Sequence, residues 1–152
     1  MIVVVDASVA LKWVVTEDGS DQANRFFDPQ DTSVLTGDAG DRVLASPDFV
    51  LVEVANVLWK KTRRSEVTSS QGADALSHLT QLFDRLIPTV LLHDSALRIA
   101  LMLDHPVCDC IYLACAEAVD GVLVSADRKF LERCRARGLG GRVRNLSGGA
   151  LH

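Results

Sequence analysis

The sequence contains no apolar run close to the roughly 18 residues that a membrane-spanning helix requires. It also lacks a basic leader with a longer apolar stretch and a small-residue cleavage site, because residues 2–5 are followed directly by Asp6. Low-complexity tracts, internal repeats and a composition typical of disorder are absent as well. We therefore expect a folded cytoplasmic protein without a membrane segment.

Cysteines are few, and their spacing is typical neither of a disulfide framework nor of a zinc site, since no Cys-x-x-Cys pair occurs. In a reducing compartment such cysteines act as small buried apolar groups. The alternative is an irregular metal site, which the spacing disfavours. Its ligands would be His105, Cys108, Cys110 and Cys115.

Positive charge is in deficit: the chain has 16 basic and 20 acidic residues, a net charge of −4, which by itself argues against a nucleic-acid partner. The basic residues are nevertheless clustered, in residues 60–64 and in residues 128–144, while residues 17–48 are acidic. Two basic patches of this kind can contact phosphates. The alternative is that both are solvated helix faces.

A length of 152 residues with 48% hydrophobic residues fits one domain, which we place at residues 1–146 with a short tail at 147–152. Short apolar runs predict strands at 2–5, 89–92 and 122–125, with an edge strand from Val143. Helical patterns cover 8–15, 20–27, 47–64, 70–86, 94–103, 106–119 and 129–137.

Start signals for these helices are Ser8, Ser20 and Asp94 as caps, and Pro47 as a first helical residue. Residues 31–46 are ambiguous and predict a strand or a small hairpin. Strands that alternate with helices predict an α/β fold, a parallel doubly wound sheet flanked by helices.

Two carboxylates stand just after predicted strands. Asp6 directly follows the first strand, and Asp127 comes one residue after the strand at 122–125. Functional groups collect beyond the carboxyl ends of parallel strands, so both are expected at one edge of the sheet. The alternative for each is an ordinary helix cap or turn.

Glu53 lies in a stretch that is apolar around almost the whole helix. An isolated ionised carboxylate there is costly unless it is paired or bound to a cation. No basic residue stands three or four positions away, so a structural partner must come from elsewhere in the chain. Asn56, one turn further on the same face, is a candidate to orient Glu53 or a bound water.

Asp109 stands in the first turn of a predicted helix, where the helix dipole favours an ionised acid. A simple helix-start acid is the alternative. Four carboxylates gathered in one cleft would repel one another unless hard divalent ions such as Mg²⁺ or Mn²⁺ bind there. Such a centre activates water and stabilises the oxygens of a phosphodiester displacement. The candidate catalytic and metal-binding residues are Asp6, Glu53, Asp109 and Asp127.

Four motifs occur in order: residues 3–8, residues 47–58, the Asp109-x-x-Tyr112-Leu113-Ala114 run that extends to Glu117, and residues 123–130. Together they resemble the PIN domain, and within it the VapC-type toxins of toxin–antitoxin pairs. The likeness covers about residues 1–146. The cysteines that flank Asp109 depart from the family pattern, and residues 31–41 are longer and more polar than expected.

The resemblance implies a Mg²⁺-dependent endoribonuclease, usually a homodimer, that a small antitoxin holds inactive by inserting a segment into the acidic groove. It implies that Asp6 and Asp109 are the principal metal ligands and that Glu53 and Asp127 complete the site. Ser8 and Ser125 match small hydroxyl residues that support the acids or the phosphate. The substrate is then RNA, and the cofactor is Mg²⁺ or Mn²⁺.

Candidate RNA-binding residues are Lys12, Lys60, Arg128 and Lys129. Trp13 and Trp59 are suited to base stacking, but their apolar helices favour core or dimer packing. Other interpretations stay open. They are a PIN-type RNA-processing nuclease without an antitoxin, a non-catalytic module whose acidic pocket holds a partner's arginine, and a phosphotransfer domain on a similar sheet, for which Ser8 stands where a second acid is needed.

Overall fold

A computed structural model of the chain describes residues 1–28, 30–31 and 42–148. The described part contains one five-stranded sheet in which every pairing is parallel and the strand order is β3-β2-β1-β4-β5. The predicted parallel doubly wound sheet is thereby confirmed. The strands are β1 (Ile2–Val5), β2 (Val43–Pro47), β3 (Arg85–Ile87), β4 (Val122–Ser125) and β5 (Val143–Asn145).

Seven α-helices flank the sheet in the described part of the chain. They are α1 (Ala7–Val14), α2 (Ser20–Asn24), α3 (Phe49–Arg63), α4 (Ser69–Leu82), α5 (His93–Leu103), α6 (Val107–Ala118) and α7 (Arg128–Ala136). The domain boundaries at 1–146 and 147–152 stay a prediction, and residues 149–152 lie outside the described residues.

The chain reverses its direction across the sheet between β1 and β4. From β1 it moves outward to β2 and β3, and it then returns to β4 on the other side of β1. In such sheets the crevice outside the carboxyl ends of the strands at the switch point is where ligands bind. Val5 pairs with Val124, so the chain after β1 and the chain after β4 emerge together at this edge.

The core lies on both faces of the two central strands. Val3, Val4 and Val5 are fully buried, as are Leu123 and Val124. Continuous β-branched and aliphatic runs of this kind are expected where a parallel strand is covered by helices on both faces. Helix α6 is buried along most of its length and packs against β1, β2 and β4. The carboxyl ends of β1 and β4 therefore emerge from the most deeply buried part of the fold.

The predicted strand at 89–92 is wrong. Residues Thr89–Leu91 form a 3-10 turn, and the strand precedes Pro88 instead. Asp84 causes this, because its backbone N–H donates to the carbonyl of Leu44 and its Oδ2 accepts from the N–H of Leu44. The pair aligns the following residues on β2, so the predicted helix at 70–86 ends earlier, at Leu82.

The predicted helical position of Pro47 is also wrong. Pro47 is the last residue of β2 and pairs with Ile87, and α3 begins at Phe49. Asp48 turns the chain between them: its Oδ1 accepts from the N–H and the hydroxyl of Thr89, at 2.9 and 2.6 Å. The predicted strand within residues 31–46 is confirmed at β2, whereas the part at 34–36 falls outside the described residues.

Three predicted caps are replaced by neighbours. Asp6 caps α1 rather than Ser8, and Leu92 precedes α5 rather than Asp94. Gly19, at φ 87°, precedes α2, while the hydroxyl of Ser20 accepts from the N–H of Glu17.

Trp13, for which core or dimer packing is predicted, is partly buried and packs against the core. Its ring packs against three phenylalanines, and its Nε1 donates to the carbonyl of Ala23 at 2.9 Å. These contacts engage the indole in packing within the protein, which favours the packing role over base stacking.

No single helix among the described residues is long and apolar enough to cross a membrane. Helices α5 and α6 pass the length and composition test only as a pair, and they are bent by 116° at their junction.

Candidate active site

Asp6 stands directly after β1 and is held on several sides. Its Oδ1 accepts from the hydroxyl of Ser8 at 2.5 Å and from the N–H of Val9 at 3.2 Å. Ser125, fully buried at the end of β4, also hydrogen-bonds to this carboxylate. Burial raises the pKa of Asp6, these hydrogen bonds lower it, and the charge of Asp109 raises it. The carboxylate is thus fixed in place but poorly solvated.

Glu53 points from α3 toward α6, where the hydroxyl of Tyr112 donates to its Oε2. Burial raises the pKa of Glu53, the Tyr112 hydrogen bond lowers it, and the charges of Asp109 and Asp6 raise it. No lysine or arginine among the described residues forms an ion pair with Glu53. Its partner is therefore a neutral hydroxyl, which supports the carboxylate without neutralising it.

Asp109 lies in the first turn of α6, and its Oδ2 is 2.6 Å from Nε2 of His105. An ionised carboxylate only accepts hydrogen bonds, so Nε2 is assigned the proton. One face of the imidazole is covered by Phe130 of α7, at 4.9 Å between ring centroids. His105 thus fixes Asp109 through the chain that precedes α6.

The three acids Asp6, Glu53 and Asp109 act on one another electrostatically. Asp109 raises the pKa of both other acids, and Asp6 raises that of Glu53. The fold therefore brings three distant parts of the sequence, after β1, in α3 and at the start of α6, close enough for their charges to interact. We call these three residues the acid group. Like charges held together in this way favour a bound cation.

Asp127 stands apart from the acid group. It is exposed, and its Oδ1 accepts from the N–H of Phe130, so it caps α7. Its backbone N–H donates to the hydroxyl of Ser125, which also hydrogen-bonds to Asp6. One buried serine thus connects Asp127 to the acid group, while the charge of Asp127 is not among those that change the pKa of Asp6 or Glu53.

The donor set suits a hard divalent cation in its chemistry, because it consists of carboxylates with oxygen ligands. Tyr112 engages one oxygen of Glu53 and His105 one oxygen of Asp109, so each keeps a second oxygen without a hydrogen bond from the described residues. The side chains are not pre-arranged around one point, since no three histidine, cysteine or acidic side chains in residues 1–28, 30–31 and 42–148 form a ready metal site.

The alternative cysteine site receives no support. Cys108 is exposed, whereas Cys110 and Cys115 are buried. Burial raises the pKa of Cys110 to about 11 and that of Cys115 to about 12, which opposes the thiolate that binds metals. These buried cysteines act as small apolar groups, as predicted.

Comparison with known proteins identifies the family to which this chain belongs. The sequence model of the PIN domain matches residues 3–136. The chain belongs to the PIN-domain family. It is 32% identical over 137 residues to a protein named Ribonuclease VapC3 from Pyrobaculum aerophilum, and the match covers 88% of this chain and 95% of that protein. The resemblance to VapC-type PIN domains predicted from the four motifs is confirmed.

A solved structure shows the same fold. The crystal structure titled PAE2754 from Pyrobaculum aerophilum matches this PIN domain with a TM-score of 0.64 at 20% sequence identity, and the match covers 96% of this chain and 84% of that one.

Four arginines of the second basic patch of this PIN domain, residues 128–144, form hydrogen bonds within the protein, so fewer cations of the patch are available to phosphate groups. Arg133 and Arg137 donate to carbonyls at the end of α5, Arg142 to Asp120 and the carbonyl of Gly121, and Arg144 to nearby carbonyls. At the start of α7, by contrast, Arg128 and Lys129 are exposed.

The two other candidate RNA-binding residues, Lys12 and Lys60, lie on α1 and α3. Lys12 is held by Glu17 at 3.0 Å and by the carbonyl of Asp18 at 2.8 Å. Lys60 is exposed near the end of α3, beside Trp59. Trp59 is 54% exposed and carries Arg63 over its ring, so it does not belong to the core.

Sequence reasoning misses the two residues that hold the acids. From the sequence, Tyr112 is only part of a motif, and His105 is only a ligand of the alternative cysteine site. The signal that could have found them is spacing: His105 stands four residues before Asp109, and Tyr112 stands three after it. Asn56, a predicted supporting residue, is exposed and forms no hydrogen bond with the described residues, so its role stays a prediction.

Proposed function

We propose that this PIN domain is a divalent-metal-dependent endoribonuclease and the toxin of a toxin–antitoxin pair. One observation carries the proposal. Asp6, Glu53 and Asp109 lie close enough for their charges to interact, and none of these acids is paired with a lysine or arginine among the described residues. The name of the relative Ribonuclease VapC3 supports RNA as the substrate.

In this proposal Asp6 and Asp109 bind Mg²⁺ or Mn²⁺, and Glu53 and Asp127 complete the site. A divalent ion bound by carboxylates activates water and stabilises the oxygens of a phosphodiester displacement. The protein supplies orientation: Ser8 and Ser125 hold Asp6, Tyr112 holds Glu53, and His105 holds Asp109. These supporting hydrogen bonds restrict the orientations of the three carboxylates.

The proposal includes protein partners. Apolar side chains are exposed on two helices, Val52 and Trp59 on α3 and Leu97 and Leu101 on α5. Contiguous exposed apolar residues mark interaction surfaces. They support a homodimer and a small antitoxin that covers the acidic groove. A cytoplasmic location is part of the same proposal.

The deciding experiment is cleavage of a labelled single-stranded RNA by the purified protein, with Mg²⁺, with Mn²⁺ and with EDTA. Asp109→Asn is the test variant. Asp74→Asn is the matched control, because Asp74 is exposed on α4 and outside the acid group. We expect cleavage that requires the divalent ion, that Asp109→Asn abolishes and that Asp74→Asn retains. Cleavage in EDTA, or full activity of Asp109→Asn, would overturn the proposal.

Expression in a bacterial host separates the toxin from an RNA-processing nuclease. Growth arrest by the active protein, relieved by the product of a small neighbouring gene, is expected of a toxin. Harmless expression of protein that cleaves RNA would point to processing instead. A protein that neither binds Mn²⁺ nor cleaves RNA would be a non-catalytic module.

A further inference from the structure

A pocket of about 330 Å³ opens at the carboxyl edge of the sheet beside the acid group. Its walls come from α1, from the start of α2, from the β4–α7 connection and from the end of β5. Its lining includes Lys12, Asp18, Gln22, Arg128, Asn145 and Ser147. The volume lies at the lower end of the range of about 300–1,000 Å³ typical of small-molecule sites, which suits a group the size of one nucleotide.

The pocket and the acid group share a wall. The N–H of Ala126, which lines the pocket, donates to Oγ of Ser8 at 3.1 Å, and the same hydroxyl donates to Asp6 at 2.5 Å. On the other side, Arg128 in the pocket directly follows Asp127. A strand of nucleic acid whose phosphate lies at the acids therefore has this pocket as its next neighbour.

Arg128 is the uncompensated cation of the pocket. It is exposed and has no hydrogen bond or ion pair in the described part of the chain. It is also the first residue of α7, and the N-terminal end of a helix is the unfavourable end for a positive charge. An arginine at this position therefore does not stabilise the helix, but it is suited to bind an anion that enters the pocket.

Asn145 adds a hydrogen-bond donor that has no acceptor among the described residues. It is 6% exposed, and its Oδ1 accepts from both the N–H and the hydroxyl of Ser147 at 2.9 Å. The backbone N–H of Ser147 can only donate, so it fixes the amide oxygen on this side and Nδ2 at the other end. Nδ2 is buried and has no acceptor among the described residues. Buried donors are normally satisfied, and an acceptor oxygen in the pocket that Asn145 lines would satisfy this one.

Lys12 and Asp18 set the polarity of the opposite wall. Lys12 is held by Glu17 and by the carbonyl of Asp18, so its charge is partly balanced. The carboxylate of Asp18, which also lines the pocket, repels phosphate from that side. A phosphate is therefore placed at Arg128 and Asn145. Hydroxyl groups of a ribose are suited to the wall of Asp18 and Gln22, because they donate as well as accept.

We infer that this pocket is a nucleotide subsite, which holds the phosphate and ribose of the RNA unit next to the bond that is cut. The inference rests on the proposed nuclease function and adds to it where the substrate strand lies. Arg128 binds the phosphate, Asn145 donates a hydrogen bond to it, and Lys12 forms part of the opposite wall of the pocket. The acid group then acts on the adjoining phosphate.

The test measures binding of a fluorescein-labelled single-stranded RNA in EDTA, by fluorescence anisotropy, at several salt concentrations. Three variants each lower the net charge by one: Arg128→Gln, Asn145→Asp and the control Arg137→Gln. Asn145→Asp keeps the acceptor for Ser147 and replaces the donor with an anion. Arg137 lies at the other end of α7 and donates to the carbonyl of Met102. Circular dichroism checks that each variant folds.

We expect Arg128→Gln and Asn145→Asp to weaken binding about tenfold, since a hydrogen bond to a charged group is lost. For Arg128→Gln the slope of log affinity against log salt should also fall by about 0.7, as for one phosphate contact on a single strand. Arg137→Gln should stay close to the parent in affinity. If Asn145→Asp does not fold, Arg128→Gln decides alone.

Equal binding by Arg128→Gln and Arg137→Gln would overturn the subsite, while RNA cleavage by the parent protein would leave the nuclease function standing. A parent protein that neither binds nor cleaves RNA would instead remove the function on which the inference rests. The two failures are therefore distinguishable in one set of measurements.

Discussion

The hydroxyl of Tyr112 donates a hydrogen bond to Oε2 of Glu53 across 59 residues of sequence. Tyr112 lies on α6, one turn after Asp109, so a single helix supplies one acid of the site and positions another. The contact also joins α3 to α6 at the sheet edge. Rotation of Glu53 away from the other acids would leave the buried hydroxyl of Tyr112 without its acceptor, which opposes that motion.

Replacing Tyr112 by phenylalanine should therefore lower activity without unfolding the protein. The ring stays buried, but Glu53 loses the hydrogen bond that orients it and lowers its pKa. Loss of such a supporting contact costs about 10–100-fold in metal affinity or activity. The measurement is RNA cleavage against Mg²⁺ concentration, together with thermal unfolding. Activity equal to the parent's would show that Tyr112 serves packing alone.

Removal of His105 should weaken the site through Asp109. His105 donates to one oxygen of Asp109 and stacks on Phe130, so His105→Ala frees the carboxylate to rotate. We expect the Mn²⁺ dissociation constant, measured by calorimetry, to rise about tenfold. His78→Ala is the matched control, because His78 is exposed on α4. An equal effect of both variants on Mn²⁺ binding would contradict the assigned role.

The metal-free protein should lose stability as the pH rises. Burial and neighbouring charges raise the folded-state pKa of Asp6 and Glu53 above their ordinary values. The folded state then binds more protons than the unfolded state. The contribution of Asp6 and Glu53 to the free energy of unfolding is therefore greatest below the ordinary pKa of these groups, and it is lost as the pH rises through their folded-state pKa values.

Urea unfolding in EDTA from about pH 4 to pH 8 measures this dependence, since the ordinary pKa of both groups is near 4. Asp6→Asn should flatten the curve and raise stability at neutral pH, whereas Asp74→Asn should not. A stability of the parent that rises over the same range would show that the acids do not destabilise one another.

Substitution of Gly121 should destabilise the protein because a side chain would meet the sheet, and not because of the φ angle of Gly121. A Cβ at this buried glycine would lie 2.8 Å from the carbonyl oxygen of Ile2 in β1. Gly121→Ala should therefore lower the free energy of unfolding by about 1–3 kcal/mol. Gly141→Ala, where a Cβ meets nothing within 4 Å, should change it by less than about 0.5 kcal/mol. Equal stability of both variants in urea would refute the close approach.

The sheet and the positions of the strand-end acids were predictable because they follow from burial. A run such as Val3, Val4 and Val5 is stable only between two helical layers, and a carboxylate directly after it must lie at the sheet edge. The site partners of the acids were not predictable, because Tyr112 meets Glu53 only after α3 and α6 have packed. The difference between β3 and the strand predicted at 89–92 has the same cause. The side chain of Asp84 sets the register of β3 by accepting a hydrogen bond from Leu44, a contact across 40 residues.

Asp127 has two separable roles, and its isosteric variant distinguishes them. As a cap it accepts from the N–H of Phe130, and as a proposed site residue it contributes a charge close to Ser125 and Asp6. Asp127→Asn keeps an acceptor oxygen for the cap and loses only the charge. Asp127→Ala loses both, and removal of a helix cap costs about 1 kcal/mol.

We therefore expect Asp127→Asn to unfold at nearly the parent's urea concentration and yet to cleave RNA at least about tenfold more slowly, as expected for removal of a group that supports a metal site. Asp127→Ala should be equally slow and also less stable. If Asp127→Asn is fully active, then Asp127 is a helix cap only. The active site would in that case consist of Asp6, Glu53 and Asp109, the three residues whose charges act on one another in this structure.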